Sequence, residues 1–472
     1  MLNNYIAEQI RKSFPFSPTG EQDAVIERFA DFITLSDKSS LFILRGYAGT
    51  GKTMLVSALV KAMGALQQKP ILLAPTGRAA KVFSSYSEHQ AFTIHKFIYR
   101  QKDFSGEMDH FTLNFNKMKE NLFIVDEASM ISNEGLSGHL FGSGRLLDDL
   151  VEFVYSGSNC RLILVGDTAQ LPPIGEEESP ALSDDMMAGY GLQVMSSDMS
   201  QVLRQQEKSG ILCNASYIRK QIQAEDFSLL PKIQLKGFAD IKRLDGDELI
   251  DALTQCYERE GMDETIVICR SNKRANIYNR GIRSQILYRE EELESGDVLM
   301  VAKNNYFWTE GNKQIDFIAN GETAVVKRVR HDRELYGFRF ADVTLSFPNY
   351  DNSEMETTLI LDTLQADSPA LSQEENEKLF NAVLEDYSDI PLKSDRMKKM
   401  KADSYYNALQ VKYAYAVTCH KAQGGQWKNV FLDQAYVRPD FLTPDYFRWL
   451  YTAFTRATET LYLVNYPESN CL

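Results

Sequence analysis

Apolar residues fall along this chain in short runs that stop abruptly at polar or turn-forming residues. Leu41-Phe42-Ile43-Leu44, Ile71-Leu72-Leu73-Ala74, Leu122-Phe123-Ile124-Val125 and Leu162-Ile163-Leu164-Val165 each end where Gly, Pro, Asp or Thr takes over. Unbroken runs of this length suit parallel strands covered on both faces, with the chemistry at their carboxyl ends. Between them, Met54 to Leu66 and Arg145 to Tyr155 repeat with a helical period. The pattern predicts an α/β parallel sheet.

A second set of runs, Thr265-Ile266-Val267-Ile268-Cys269, Tyr413-Ala414-Tyr415-Ala416-Val417, Val430-Phe431-Leu432 and Leu461-Tyr462-Leu463-Val464, predicts another such unit, interrupted by an insertion. From Glu322 to about Leu361 the sequence alternates β-branched and aromatic residues, with tight-turn pairs at Asn320-Gly321 and Tyr336-Gly337, which predicts a small barrel or meander. Ser372-Gln373-Glu374-Glu375 fits a capping box opening a helix toward Asp386. The basic stretch Lys393 to Lys401 reads as a solvated helix face or a phosphate contact. The expected boundaries are a first domain over 1–205 with a short insertion at about 97–120, and a second over 206–472 with its β insertion at about 321–405.

With 472 residues, 44% hydrophobic and 25% charged, the chain can bury several cores. Six cysteines without a CxxC pair suggest neither a zinc ribbon nor a disulfide framework. The Met1 to Glu8 segment lacks an apolar run, and no later stretch approaches the ~18 apolar residues a membrane span needs. The expectation is a soluble, cytoplasmic protein. A net charge of -14 disfavours a generally basic nucleic-acid coat. However, Glu176-Glu177-Glu178, Asp184-Asp185 and Glu290-Glu291-Glu292 concentrate acid in runs, while Arg78, Lys81, Lys96, Lys273, Arg274, Arg280 and Lys421 stand beside the motifs below. A local basic groove on an acidic body is compatible with that distribution.

The strongest chemical signal is Gly46-Tyr47-Ala48-Gly49-Thr50-Gly51-Lys52-Thr53, which satisfies GxxxxGK[ST] between a predicted strand and helix. Backbone N–H groups of such a loop wrap phosphates, Lys52 reaches the β and γ phosphates, and the Thr53 hydroxyl suits Mg²⁺. Asp126-Glu127, at the end of an apolar strand, supplies one acid for the metal and one for the attacking water.

Four further segments follow in order: Ala74-Pro75-Thr76-Gly77-Arg78, Val165-Gly166-Asp167-Thr168-Ala169-Gln170-Leu171-Pro172-Pro173, Thr418-Cys419-His420-Lys421-Ala422-Gln423-Gly424 and Tyr451-Thr452-Ala453-Phe454-Thr455-Arg456-Ala457. The series resembles the superfamily 1 helicases, in the RecD-like and Dda-like branch that tracks DNA from 5′ to 3′. The likeness runs from Gln22 to Val464 and is weakest between Asn320 and Leu409. It implies two RecA-like P-loop domains sharing one ATP site, a hairpin or pin insertion in the first and an SH3-like barrel in the second.

Residue by residue, the resemblance assigns Gln22 to the adenine. It adds Gly46, Ala48, Gly49, Thr50, Gly51, Lys52, Thr53, Met54 and Gly425 to the nucleotide contacts, and Thr53 with Asp126 to Mg²⁺. Asp167 and Gln170 would sense the γ-phosphate, while Arg204 and Arg456 would stabilise charge on the transferring phosphoryl. Thr76, Arg78, Thr93, His95, Thr418, His420 and Lys421 would meet the nucleic-acid backbone, with Asn272 at a helix start suited to phosphate. Phe92 and Trp427 are candidates for base stacking. Phe104, beside the Ser105-Gly106 turn, would stand at the tip of the pin as a wedge.

The implied enzyme is an ATP- and Mg²⁺-dependent DNA helicase working as a monomer on single strands and 5′-tailed duplexes. Two other readings stay open: a P-loop kinase of a small acceptor, which leaves Gln170, Thr418 to Gly424 and Arg456 idle, and a translocase or clamp that does not unwind. DNA against RNA is not legible, because backbone contacts dominate both.

Overall fold

The computed structural model describes residues 2–35, 37, 39–101, 111–135, 141–202, 208–309, 315, 317–434 and 439–472. The first unit contains strands β1 (Ser40–Gly46), β2 (Ile71–Ala74), β3 (Ala91–Thr93), β6 (Leu122–Val125), β7 (Arg161–Gly166) and β8 (Gln193–Met199), all parallel in the order β3-β2-β6-β7-β1-β8. Between β3 and β6, Tyr99–Gln101 (β4) and Phe111–Leu113 (β5) form a separate antiparallel pair. Alternate residues of β1 explain the double covering. Phe42 and Leu44 enter one core with Leu55, Leu59 and Ile163, whereas Leu41 and Ile43 enter another with Phe123, Leu147 and Phe153.

The second unit has β9 (Ile241–Leu244), β10 (Thr265–Cys269), β16 (Ala416–Thr418), β17 (Trp427–Asp433) and β18 (Ala457–Val464), parallel in the order β16-β10-β17-β18-β9. Out of it grows a closed barrel of β11 (Val298–Val301), β12 (Thr323–Leu335), β13 (Phe338–Phe347), β14 (Ser353–Ile360) and β15 (Leu409–Tyr413). The β12–β13 turn at Tyr336-Gly337 has φ of 59° and 71°, the left-handed pair that a two-residue hairpin demands. The helices Gln373–Asp386, opened by the expected capping box at Ser372, and Lys393–Lys401 are connected by a small core of Phe338, Phe340, Leu379, Val383 and Met400.

Two expectations change here. The barrel includes β11 and β15, which lie outside 321–405 and lead the chain in and out as an antiparallel pair, Leu299 opposite Tyr413. The run Tyr413 to Val417, expected as one strand, is split between barrel and sheet. The buried Asn279 side chain explains the split: it donates to the carbonyls of Tyr413 at 3.3 Å and Ala416 at 3.0 Å, and accepts from Ala416 N–H at 2.8 Å. Asn279→Ala should therefore leave buried backbone groups without partners and cost about 2–3 kcal/mol, read as a lower midpoint in urea titration of the purified protein.

The β4–β5 pair is a hairpin stem with Tyr99 opposite Leu113. Its Phe111 ring meets Tyr306, from the segment between β11 and β12, at 4.3 Å, and Phe141 touches Tyr306 and Phe317 at 5.4 and 6.0 Å. Aromatic rings thus join the first unit's hairpin to the second unit's insertion. Phe104 and the Ser105-Gly106 turn lie outside the described residues, as does Arg204.

Candidate active site

The phosphate loop leaves the end of β1 with Gly49 at φ 79° and Gly51 at φ 86°, and the helix Lys52–Ala65 starts directly behind it. Lys52 Nζ folds back on the loop, donating to the Gly46 carbonyl and, at 3.0 Å, to that of Tyr47. Thr53 is exposed, and Met54 is half-buried against the core behind the loop. Gln22 reaches the same loop from the helix Gly20–Thr34. Its amide is tied at both ends: the oxygen accepts from Thr19 N–H at 2.9 Å in a capping box, and the nitrogen donates to Thr50 O at 3.2 Å. The side chain is 1% exposed and braces the loop, with one N–H and one oxygen lone pair of the amide still uncommitted.

Asp126 and Glu127 follow β6. Asp126 accepts from the Tyr86 hydroxyl and from Glu127 N–H at 2.9 Å. Glu127 is held at φ 52°, a left-handed conformation that a glutamate adopts at a cost. Burial pushes both carboxyl groups up from their ordinary range, opposed at Asp126 by the Tyr86 hydroxyl first and at Glu127 by Arg456 first, with Lys52 a smaller influence on each. Such a pair would be relieved by a cation, and together with the loop N–H groups and the exposed Thr53 hydroxyl it fits a polyphosphate with its divalent metal.

The other wall of the cleft comes from the second unit. Arg456, 3% exposed, donates to the carbonyls of Thr452 and Gly425 and to Thr455 Oγ1, and its guanidinium stands 4.0 Å from Glu127. A Cβ at Gly425 would lie 2.6 Å from the Trp427 ring and 2.8 Å from Arg78 Nε, so a larger residue would displace that stacked pair. Asp167 is buried and accepts from Ala169 N–H and the Tyr451 hydroxyl. Gln170 is buried nearby, with its side-chain oxygen lacking a hydrogen bond. Leu171 N–H donates to Thr452 Oγ1 at 2.9 Å, and Gln423 donates to Leu171 O at 2.8 Å, so this segment is tied across the boundary.

Three contacts here escape sequence reading. Tyr451 bridges the units. Tyr86 caps Asp126. Arg219, 8% exposed, lies 4.4 Å over the Tyr47 ring of the phosphate loop, whose hydroxyl accepts from Gln223. Tyr451 opens a segment singled out in the sequence without revealing its partners, and Tyr86 and Arg219 lie outside every motif.

The residues expected on the strand track divide into two groups. Asn272, Thr418 and Lys421 line one cleft with Lys412, between the second sheet and the barrel. Asn272 opens the helix Asn272–Gly281, and His420 is exposed next to Lys421. Burial lowers Lys421 and Lys412 to about 8 each, and Lys421 Nζ donates to Asn320. In the first unit, Thr76 and Thr93 serve as helix N-caps, accepting from Ala79 and Lys96 N–H.

Arg78 is turned to the domain boundary, 3.7 Å over the Trp427 ring and donating to Gln426 O, and burial lowers it to about 10. His95 packs edge-on against Phe141 at 5.0 Å, and burial lowers it to about 4, so it is neutral at physiological pH. It cannot supply a positive charge to phosphate there. Trp427 is 4% exposed under Arg78 and Phe92 packs on Phe97 at 5.7 Å, so both expected stacking platforms are parts of packed clusters.

Fold and site together define a P-loop ATPase whose nucleotide cleft is completed from a second parallel-sheet domain. The AAA domain family matches residues 19–231, and the UvrD-like helicase C-terminal domain family matches residues 413–464, which carry Lys421, Tyr451 and Arg456. These two matches support a superfamily 1 helicase of the Pif1/RecD-like kind, a nucleotide-binding, ATP-hydrolysing enzyme.

An uncharacterized protein of Acanthamoeba polyphaga mimivirus is 22% identical over 93% of this chain and 98% of its own length. The ATP-dependent RecD2 DNA helicase of Deinococcus radiodurans is 30% identical over 33% of this chain, which spans only 18% of that larger protein. Among solved structures, the Pif1 helicase from Bacteroides in complex with ADP-AlF3 and ssDNA is 16% identical, with a TM-score of 0.47 over 96% of this chain and 93% of that one. Among the described residues, no helix is long and apolar enough to cross a membrane.

Proposed function

We propose that this protein is a DNA helicase that moves 5′ to 3′ on single-stranded DNA as a monomer and unwinds duplex, driven by ATP with Mg²⁺ held by Thr53 and Asp126. The observation that carries this reading is the cleft itself. Arg456, from the second unit, stands 4.0 Å from Glu127 of the first, and the cleft lined by Asn272, Thr418 and Lys421 belongs to the same second unit. Hydrolysis of the bound triphosphate would supply the energy. Glu127 would accept the water's proton, Lys52 and Arg456 would hold charge from opposite walls, and the bonds from Leu171 to Thr452 and Gln423 would carry closure to the strand-binding segment. The polarity is taken from the family resemblance.

ATP turnover and strand separation, measured side by side on 5′-tailed and 3′-tailed DNA and RNA duplexes, test the reading. Stimulated turnover with unwinding of the 5′-tailed DNA alone is expected. Stimulation without separation would leave a translocase, and turnover indifferent to nucleic acid would end the helicase reading.

The lysines offer a second check. Because Lys421 and Lys412 lose their protons near pH 8, affinity for an oligo(dT) strand should fall as pH rises from 7 to 9, when positive charge leaves the cleft. Lys421→Arg, whose charge persists, should retain most of its affinity at pH 9. A flat profile in the unaltered protein would remove these lysines from the track.

A further inference from the structure

The helix Pro444–Phe454 carries Tyr451, 1% exposed, from the second unit into the first. Its hydroxyl accepts from the phosphate-loop N–H of Ala48 at 2.9 Å and donates to Asp167 Oδ2 at 2.8 Å. The direction of this relay is fixed by chemistry, since an amide can only donate through its N–H and an ionised carboxylate can only accept. Burial, then the neighbouring Asp167, raises the phenol well above its ordinary range, so it keeps the proton that the relay requires. The next residue, Thr452, takes Leu171 N–H, and Arg456 donates back to Thr452 O. Tyr451, Thr452 and Arg456 therefore form one bonded block, fixed to the first unit at Ala48 in the phosphate loop and at Asp167 and Leu171 in the segment after β7.

We propose that Tyr451 is a positioning residue that sets Arg456 at the phosphate site and links the state of the phosphate loop to Asp167 through a single hydroxyl. This inference rests on the ATP-driven reading above. Loop rearrangement around phosphate alters the Ala48 N–H, and Tyr451 passes that change to Asp167 and, through Thr452, to Arg456. Both hydrogen-bonding groups at the relay's ends are served by the same oxygen, so a shift of one alters the bond to the other. A Phe ring would fill the same space and break both bonds.

Tyr451→Phe, Asp167→Asn and the double variant should be compared with the unaltered protein by DNA-stimulated ATP turnover and by oligo(dT) affinity with and without the ATP analogue AMP-PNP. For Tyr451→Phe, kcat should fall between about 10-fold and 100-fold with KM for ATP little changed, as displacement of a group acting in the transition state requires. The shift in oligo(dT) affinity caused by AMP-PNP should shrink toward none, and the double variant should be no worse than the poorer single one.

A kcat within twofold of the unaltered protein overturns the proposal. So do parallel changes in kcat and KM with the AMP-PNP effect intact, or strictly additive losses in the double variant. A merely structural tyrosine would lower the melting temperature while sparing the AMP-PNP effect on the folded fraction. If the unaltered protein itself shows no DNA-stimulated turnover, the helicase reading falls and this one with it, whereas normal stimulation with an unaffected Tyr451→Phe removes only the relay.

Discussion

Glu127→Gln should bind ATP as well as the unaltered protein and turn it over at least ~10²-fold more slowly, within the range for loss of a general base. The geometry separates the two effects. Lys52 contacts the loop carbonyls, whereas the Glu127 carboxyl, on the same wall, faces Arg456 across the boundary. Burial raises it, which makes it a stronger base than an exposed glutamate, while Arg456 keeps it from rising further. The amide preserves shape but takes no proton. Lys52→Ala should differ in kind, weakening ATP binding as well as turnover, because the ammonium is assigned to the phosphates themselves. A fluorescent ATP analogue for binding and a phosphate-release assay for turnover decide the matter, and normal turnover in Glu127→Gln would withdraw the assignment.

The parts of this fold that were legible in sequence share one property: their pattern is local. β1, β2, β6 and β7 are buried on both faces and read as unbroken apolar runs. The phosphate loop and Asp126-Glu127 read directly because glycine conformation and carboxylate chemistry leave few substitutes. β8 did not, because its Ser196-Ser197-Asp198 segment lies at a sheet edge where polar side chains are tolerated. β3 has three residues, too few to show a period.

The capping box at Thr19 and Gln22 has a sequence signature, but the resemblance directs Gln22 to the adenine, and the structure shows both ends of its amide in use. Trp427 illustrates the opposite problem, because an aromatic residue beside a nucleic-acid motif looks the same whether it stacks on a base or, as here, on Arg78. Contacts such as Ala48 with Tyr451 join residues 403 apart, and only the meeting of two folded units creates them.

Removing Arg456 should have the largest effect of all. An arginine that meets transferring phosphoryl charge contributes ~10³ to 10⁵ in rate. Arg456→Ala should accordingly abolish most DNA-stimulated ATP turnover while oligo(dT) binding without nucleotide persists, since the cleft lined by Asn272, Thr418 and Lys421 does not include it. The residue is 3% exposed and donates to Gly425 O, Thr452 O and Thr455 Oγ1, so its removal also leaves those acceptors in a dry place. Arg456→Lys separates the two roles. It restores the positive charge facing Glu127 but not the planar fork that serves several acceptors at once. If the arginine acts on the phosphoryl group, the lysine variant should remain strongly impaired in turnover with unchanged strand binding. If turnover and strand binding decline together in both variants, Arg456 is holding the second unit together, and the charge opposite Lys52 must come from another side chain.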